Sequence, residues 1–312
     1  MKRAAAWAIF AALALAAPIL LPAWRSQMAF LWVMIVFALT WDLLGGQMGY
    51  NSFGNVLFVG VGMYACAVVQ RDAGVAYFPG LIAGLCAAAA AAVACAALIG
   101  SGILGLRGHS FAIGTLGLGI AAGELAGGWA FVGAGGGMVA PLFPGAVGAR
   151  ESFFYFLTLG LAAATFFFLS WLYRGRFGLA LNAIRDDEDK AEAMALRTTR
   201  YKTAAWCICA FFLGLTGGAL GNLVGFIDPR EVAFAGSSFG VWMVLMAILG
   251  GKGTLWGPVL GAAIFHLTKE LFWTYLLGWQ RVALGLLIVV IVVFFPLGIM
   301  GWARRRWPER FA

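Results

Sequence analysis

Long apolar runs separated by short polar breaks pattern the whole chain, and about 20 consecutive apolar residues are enough for a helix to cross a bilayer. On that spacing, spans are predicted near 4–24, 28–44, 53–70, 77–105, 110–125, 152–173, 203–226, 238–250, 257–277 and 281–301. The runs are continuous rather than alternating, which argues against a membrane β-barrel. The expected fold class is all-α: a polytopic integral membrane helical bundle of about 10 (8–10) transmembrane segments, forming a single domain over 1–312. The segments near 110–125 and 238–250 are short, and either could be re-entrant or broken. The opening Met1-Lys2-Arg3 with apolar Ala4 to Leu21 is shaped like a signal peptide, but no polar stretch follows it, so an uncleaved first span is expected.

One polar island, Arg174 to Lys202, interrupts this pattern most strongly. Its charges cannot sit in hydrocarbon, where each ionised side chain costs about 3 kcal/mol or more. Arg174, Arg176, Arg185, Lys190, Arg197, Arg200 and Lys202 place it on the cytoplasmic side by the positive-inside bias. Within it, Asp186, Asp187, Glu188 and Asp189 are suited to the N-terminus of a short helix running to about Leu196, where the helix dipole favours anions. Asp186 or Asp187 can cap that helix, and Asp186 is four residues from Lys190, a spacing that permits an ion pair. Ala191, Met194, Ala195 and Leu196 supply small and apolar knobs. Such a helix either lies solvated in its loop or presses into a groove on a soluble partner.

Orientation follows from counting spans. With Lys2 and Arg3 inside, the sixth span ends inside at Arg174 and the tenth at Arg304, Arg305, Arg306 and Arg310. Both termini are then cytoplasmic. Arg107 and Lys252 fall on the same side, whereas Arg25, Arg71, Arg150, Arg230, Lys269 and Arg281 fall at external edges or inside a span.

Smaller polar interruptions mark candidate pathway positions. Gly45 to Gly54 is uncharged, polar and glycine-rich, and reads either as a short loop or as a pore-side break with Asn51 and Ser52 capping the next helix. Thr115 follows the turn at Arg107–His109, and Ser237 and Ser238 open the eighth span. Asn51, Ser52, Thr115, Ser237 and Ser238 form the candidate lining, weak and uncharged; the alternative is that they stabilise helices. Glu124, toward the far end of its span, needs water or a partner. Gly127 to Arg150 reads as an external glycine- and proline-rich loop, and Asp228-Pro229-Arg230-Glu231 as an external turn.

Composition narrows the functions. Of the 312 residues 63% are hydrophobic and 11% charged, against about a quarter charged in soluble domains. The mean hydropathy is +0.93. The net charge of +8 reflects basic residues at membrane edges, so no nucleic-acid partner is expected; the lipid bilayer is. Cys66, Cys86, Cys95, Cys207 and Cys209 all lie in apolar runs without metal-ligand spacing. Gly251-Lys252 is followed by Gly253, and Met246 stands where a phosphate loop needs its first glycine, so no nucleotide site is expected. No nucleophile–base pair, metal set or cofactor motif appears. The chain is expected to move a substrate rather than transform one.

The island resembles the cytoplasmic loop of the LivH/LivM-type permeases, the membrane subunits of branched-chain amino acid ABC importers, and is closer to the LivM half. The stretch that carries the likeness is Arg176-Phe177-Gly178 through Ile184-Arg185-Asp186-Asp187-Glu188 to Ala191-Glu192-Ala193. Collinear matches are Gly49-Tyr50-Asn51-Ser52-Phe53-Gly54, Leu106-Arg107-Gly108 with Phe111-Ala112-Ile113, Asp228-Pro229, Ser237-Ser238, Leu249-Gly250-Gly251 with Gly257-Pro258, and Pro296-Leu297-Gly298. The chain departs from the family at Ala195, where glycine is usual. The resemblance implies a bacterial inner-membrane permease subunit that is not itself an enzyme. Its implied partners are a second, LivH-like permease, two LivG/LivF-like ATP-binding subunits and a periplasmic substrate-binding protein. The implied coupling helix comprises Arg185, Asp186, Asp187, Glu188, Glu192, Ala193 and Met194. Related permeases are associated with leucine, isoleucine and valine, but also with urea, amides and aromatic acids. An ion-coupled secondary transporter is the competing class. It would need ionisable groups at mid-membrane, whereas Asp42, Glu124, His266, Lys269 and Glu270 mostly fall toward span ends.

Overall fold

A computed structural model of the chain describes residues 13–276, 278–294 and 298–306. Helices occupy every predicted span that falls in these residues. Residues 13–20 are helical; then come α1 (Arg25–Asp42), α2 (Val56–Asp72), α3 (Tyr77–Ile103), α4 (Gly108–Gly128) and α5 (Val147–Arg174). The island folds as α6 (Arg176–Asp186) and α7 (Glu188–Ala193). After it come α8 (Thr198–Val224), α9 (Val241–Gly250), α10 (Trp256–Tyr275), α11 (Gln280–Phe294) and α12 (Gly298–Arg306). Residues 4–12 of the first predicted span, and Pro296-Leu297, lie outside the described residues.

Among the described residues six runs are long and apolar enough to cross a membrane: Pro22–Gln47, Tyr77–Ile103, Gly108–Gly128, Val147–Arg174, Thr198–Val224 and Pro229–Gly250. The helical membrane bundle expected from the sequence is therefore present. The third predicted span, α2, is shorter because its first residues are not helical.

Two packing groups form the bundle. In one, α8 lies on α2 and α3; in the other, α1 packs on α5, α9 and α10. Glycines set the close approaches. A Cβ on Gly62 would stand 2.2 Å from the Gly214 carbonyl oxygen, and one on Gly217 would stand 2.2 Å from that of Val59. Backbone therefore meets backbone between α2 and α8, as expected where small residues rather than hydrophobic exclusion permit helix association. Cys66 and Cys209 are buried among these helices, Cys209 Sγ lying 3.1 Å from the Thr40 carbonyl oxygen.

The two ends of the bundle differ. One end, the island end, gathers the end of α1, the α3–α4 turn, α6–α7 and the start of α8. The other, the far end, gathers the α2–α3 turn, the start of α5 and the end of α8: Tyr77 donates to Asn222 at 3.1 Å, and Arg150 donates to the Asn222 and Leu223 carbonyls at 3.1 and 2.8 Å. The loop Gly127–Arg150 is not wholly irregular. Its Met138–Val139 (β1) pairs antiparallel with Phe226–Ile227 (β2), in register Met138↔Ile227.

Two segments break the helical pattern inside the bundle. After α1, a π-helical turn, Leu43–Gln47, gives way to non-helical backbone from Met48 to Asn55. Pro229–Ala233 and Gly236–Gly240 are also π-helical, and the second runs directly into α9. The two breaks meet: a Cβ on Gly240 would lie 3.0 Å from the Phe53 carbonyl oxygen.

Candidate functional site

The local sequence explains the island's shape. Gly175 ends α5 in an extended conformation and opens α6. Asp187, extended at φ −165°, separates α6 from α7 and caps α7, its Oδ1 accepting from the Lys190 backbone N–H at 3.0 Å. Asp187 also pairs with the Lys190 ammonium at 2.9 Å, in place of the expected Asp186–Lys190 pair; Asp186 instead bonds Arg185 at 3.0 Å. These bonds from Lys190 hold the Asp187 carboxyl below the usual aspartate value. The helix stops at Ala193, not Leu196, because Ala195 turns left-handed at φ +61°. Ala195 N–H donates to Glu192 O at 2.9 Å and Leu196 N–H to Ala191 O at 3.1 Å. This is the paired C-terminal closure that glycine usually makes.

The acids of α7 face two ways. Asp189, Glu192, Ala193 and Met194 are exposed, Met194 to 85%. Thr198 Oγ1 donates to the Glu192 carboxylate, tying the end of α7 to α8. Glu188, grouped with the exposed acids on the sequence reading, points inward. Its carboxylate accepts from Lys202 Nζ at 2.6 Å and from the Tyr50 hydroxyl at 2.6 Å, with Arg107 Nε at 3.3 Å. The Lys202 and Glu188 side chains are only 6% and 9% exposed. Burial pushes the Glu188 carboxyl upward, but the hydrogen bonds from Lys202 and Tyr50 and the charges of Lys202 and Arg107 outweigh it and hold it below its usual value. Tyr50 is raised well above an ordinary phenol, by burial first and then by the Glu188 bond.

Lys202, one of the seven basic residues that place the island on the cytoplasmic side, is thus buried. It also donates to the Tyr50 hydroxyl oxygen at 3.1 Å and the Leu104 carbonyl at 2.9 Å, and lies 5.1 Å from the centre of the Tyr50 ring. The ring meets Phe111 of α4 edge-on at 5.0 Å. Arg107, at the mouth of this cluster, bonds Asp189 at 2.8 Å.

A second tie reaches the other flank of the first break. Arg185 Nη1 donates to the Gly46 carbonyl at 3.4 Å, and Gly49, at φ +81°, sits against the Arg185 side chain. Close by, Asp42 Oδ1 accepts from the Gly253 N–H at 2.7 Å, fastening the Gly251–Thr254 turn to the end of α1.

The predicted lining residues are partly assembled. Ser52 and Thr115 are fully buried and converge on the first break: Thr115 Oγ1 accepts from Phe53 N–H at 3.1 Å and Ser52 Oγ from Gly54 N–H at 3.3 Å. A Cβ on Gly54 would stand 2.1 Å from the Thr115 carbonyl oxygen, so α4 rests on this backbone. The expected capping of α2 by Asn51 and Ser52 is not found, since Asn51 is exposed and the Ser52 hydroxyl serves its own turn. Ser237 and Ser238 belong to the π-helical turn that ends at Gly240 beside Phe53. Glu124 finds its partner in Arg230, at 3.0 and 2.6 Å.

Sequence reasoning missed Tyr50 and Lys202, which lie 152 positions apart. It also missed Asn55, which is 1% exposed with neither side-chain amide atom hydrogen-bonded among the described residues. Tyr50 lay in a stretch already singled out, but nothing local to either residue reports their contact.

Comparison with known proteins places this arrangement. A family model described as "Branched-chain amino acid transport system / permease component" matches residues 26–294. The chain is similar to the high-affinity branched-chain amino acid transport system permease protein LivM of Escherichia coli (strain K12), 28% identical over 87% of this chain and 68% of that protein. It is also similar to LivH of the same strain, 30% identical over 40% of each. A fructose import permease protein, FrcC of Rhizobium meliloti, is 29% identical over 39% of this chain and 35% of its own length. No solved structure matches. A match spanning nearly the whole helical bundle, with both breaks and the island inside it, shows that this chain is a multi-pass membrane protein belonging to the branched-chain amino acid ABC transporter permease family.

Proposed function

We propose that the chain is the non-catalytic permease subunit of an inner-membrane ABC importer for branched-chain amino acids, acting over its whole length as one transmembrane domain. Separate ATP-binding subunits seat on the outer face of α7. A second, LivH-like permease completes the pathway, and a periplasmic binding protein delivers substrate at the far end. The island and both termini face the cytoplasm.

One observation carries this reading: a short helix, capped at both ends and fixed on its inner side, presents Asp189, Glu192, Ala193 and the 85% exposed Met194 outward. A rigid helix offering one apolar knob among acids suits insertion into a groove on a soluble partner. Nucleotide in that partner can then shift the pore only through contacts that differ between the two transport states. The two breaks, with Ser52, Thr115 and Ser238, fit an uncharged pathway, because irregular backbone at membrane depth is tolerated only against protein or a water-filled cavity.

A photo-crosslinking residue at position 194, in membranes that also express the neighbouring transport subunits, tests the reading. Capture of a nucleotide hydrolase is expected. Uptake of leucine into vesicles on an ion gradient, with no ATPase present, would overturn it in favour of a secondary transporter.

A further inference from the structure

We propose that Lys202 and Tyr50 are positioning residues that carry displacement of α7 into the non-helical segment Met48–Asn55 inside the bundle. The proposal rests on the permease reading above and goes further, naming where the push from a docked partner enters the pathway.

The Lys202 ammonium is fully subscribed. A lysine has three N–H donors. Those of Lys202 have three acceptors, each from a different part of the chain: Glu188 of α7 at 2.6 Å, the Tyr50 hydroxyl at 3.1 Å and the Leu104 carbonyl at 2.9 Å. The Tyr50 hydroxyl in turn donates to Glu188 at 2.6 Å, which closes a triangle between α7, the first break and α8. Buried polar networks that are fully satisfied are strong and geometrically specific, so α7 cannot shift without either carrying Tyr50 along or opening the triangle.

Beyond Tyr50 the chain stays irregular up to Asn55, and Gly54 joins α2 through a turn bond from the Leu57 N–H at 2.9 Å. Phe53 N–H is held by Thr115 of α4, and the Phe53 carbonyl lies against Gly240 at the entrance to α9. A displacement of Tyr50 therefore acts on backbone where both breaks and α4 meet. The Arg185 bond to Gly46 holds the other flank of the same break, so α6–α7 grips it on both sides.

The test uses the full complex reconstituted in vesicles with its ATP-binding subunits, its second permease and its binding protein, with leucine as transported probe. Tyr50→Phe keeps the ring on Phe111 and removes only the hydroxyl. Glu188→Gln keeps the shape and removes the charge. For both we expect undiminished co-purification of the ATPase, ATP turnover within about twofold of the parent, and leucine transported per ATP reduced at least about fivefold; a glue that merely held the fold together would lower amount and melting temperature without changing that ratio. An unchanged ratio in both variants would overturn the proposal. So would a fall in uptake that tracks loss of bound ATPase, because the cluster would then serve docking alone. Failure of the parent protein to retain any ATPase would instead refute the permease reading itself.

Discussion

Two ion pairs of equal length hold opposite ends of this bundle. Lys202 and Glu188 meet at 2.6 Å at the island end with side chains 6% and 9% exposed. Arg230 and Glu124 meet at 2.6 Å at the far end with side chains 66% and 57% exposed. Distance alone would rank them equal. In water an ion pair gains little, because solvent screens both charges and two long side chains lose freedom. In the interior both charges have lost their hydration, so each depends on the other and on every remaining hydrogen bond. The far-end pair bridges α4 to the turn at Pro229, whereas the island-end pair also recruits Tyr50 and the Leu104 carbonyl. One is a tether on the surface and the other is a joint.

The largest effect is expected from Lys202→Met. It removes the buried counter-ion of Glu188, leaving the more exposed Arg107 at 3.3 Å, and such losses cost about 3–5 kcal/mol. A clear fall in the thermal midpoint in detergent is expected, and much of it should return in the double variant Lys202→Met with Glu188→Leu, because apolar replacement of a whole buried pair is often neutral. Glu188→Lys should be at least as harmful, since it would set a third cation beside Lys202 and Arg107; the variant cannot be treated as a simple surface change.

Acid should act next, and more weakly. The folded-state value of Glu188 is depressed, so its contribution is fully present above the usual glutamate value and is lost as pH falls through the lowered one. Amide exchange in α7 should therefore stay slow from neutral pH down past the ordinary titration of glutamate and rise only in stronger acid. Loosening of α7 at neutral pH, as this carboxyl alone is titrated, would contradict the assignment.

Ala195→Gly sharpens the same end in the opposite direction. A left-handed alanine costs about 1 kcal/mol relative to glycine. The substitution should stabilise the loop by about that amount, read as slower exchange at Met194–Leu196. The smallest effect is expected from Arg230→Gln. It removes the exposed pair and should leave the melting transition indistinguishable from the parent, most clearly at high salt, where screening has already weakened the tether.

Much of the fold was legible in the sequence because its signal is one-dimensional. Runs of apolar residues announce helices wherever they occur, and α3, α5 and α8 lie close to where hydropathy alone puts them. The island was legible for the same reason, being a long internal stretch too charged to be buried in lipid. Within it the cap was foreseen at Asp186 or Asp187, and Asp187 makes it. The split into α6 and α7 was not foreseen, because it depends on a single extended residue between two helix-forming stretches. The left-handed Ala195 breaks the usual preference for glycine, and no local rule predicts an exception.

The site was less legible. Ser52 and Thr115 were singled out as polar residues near spans, but their meeting across Phe53 depends on α4 approaching Gly54 closely enough to exclude a side chain. Glu188 was grouped with Asp186, Asp187 and Asp189, and its burial follows from its position on the inner side of α7. The pairing of β1 with β2 is likewise invisible to hydropathy, since two residues on each side carry no periodicity.

A membrane-spanning helical protein with one charged loop and two glycine-rich interruptions can be read from the order of residues, because hydrophobic length and charge are summed locally. Which charges are buried, and which residues they bind, follows from packing, because Tyr50, Leu104, Glu188 and Lys202 become neighbours only when four separate segments come together. Burial, and with it the energetic weight of a charge, belongs to the assembled fold and cannot be assigned to any residue in isolation.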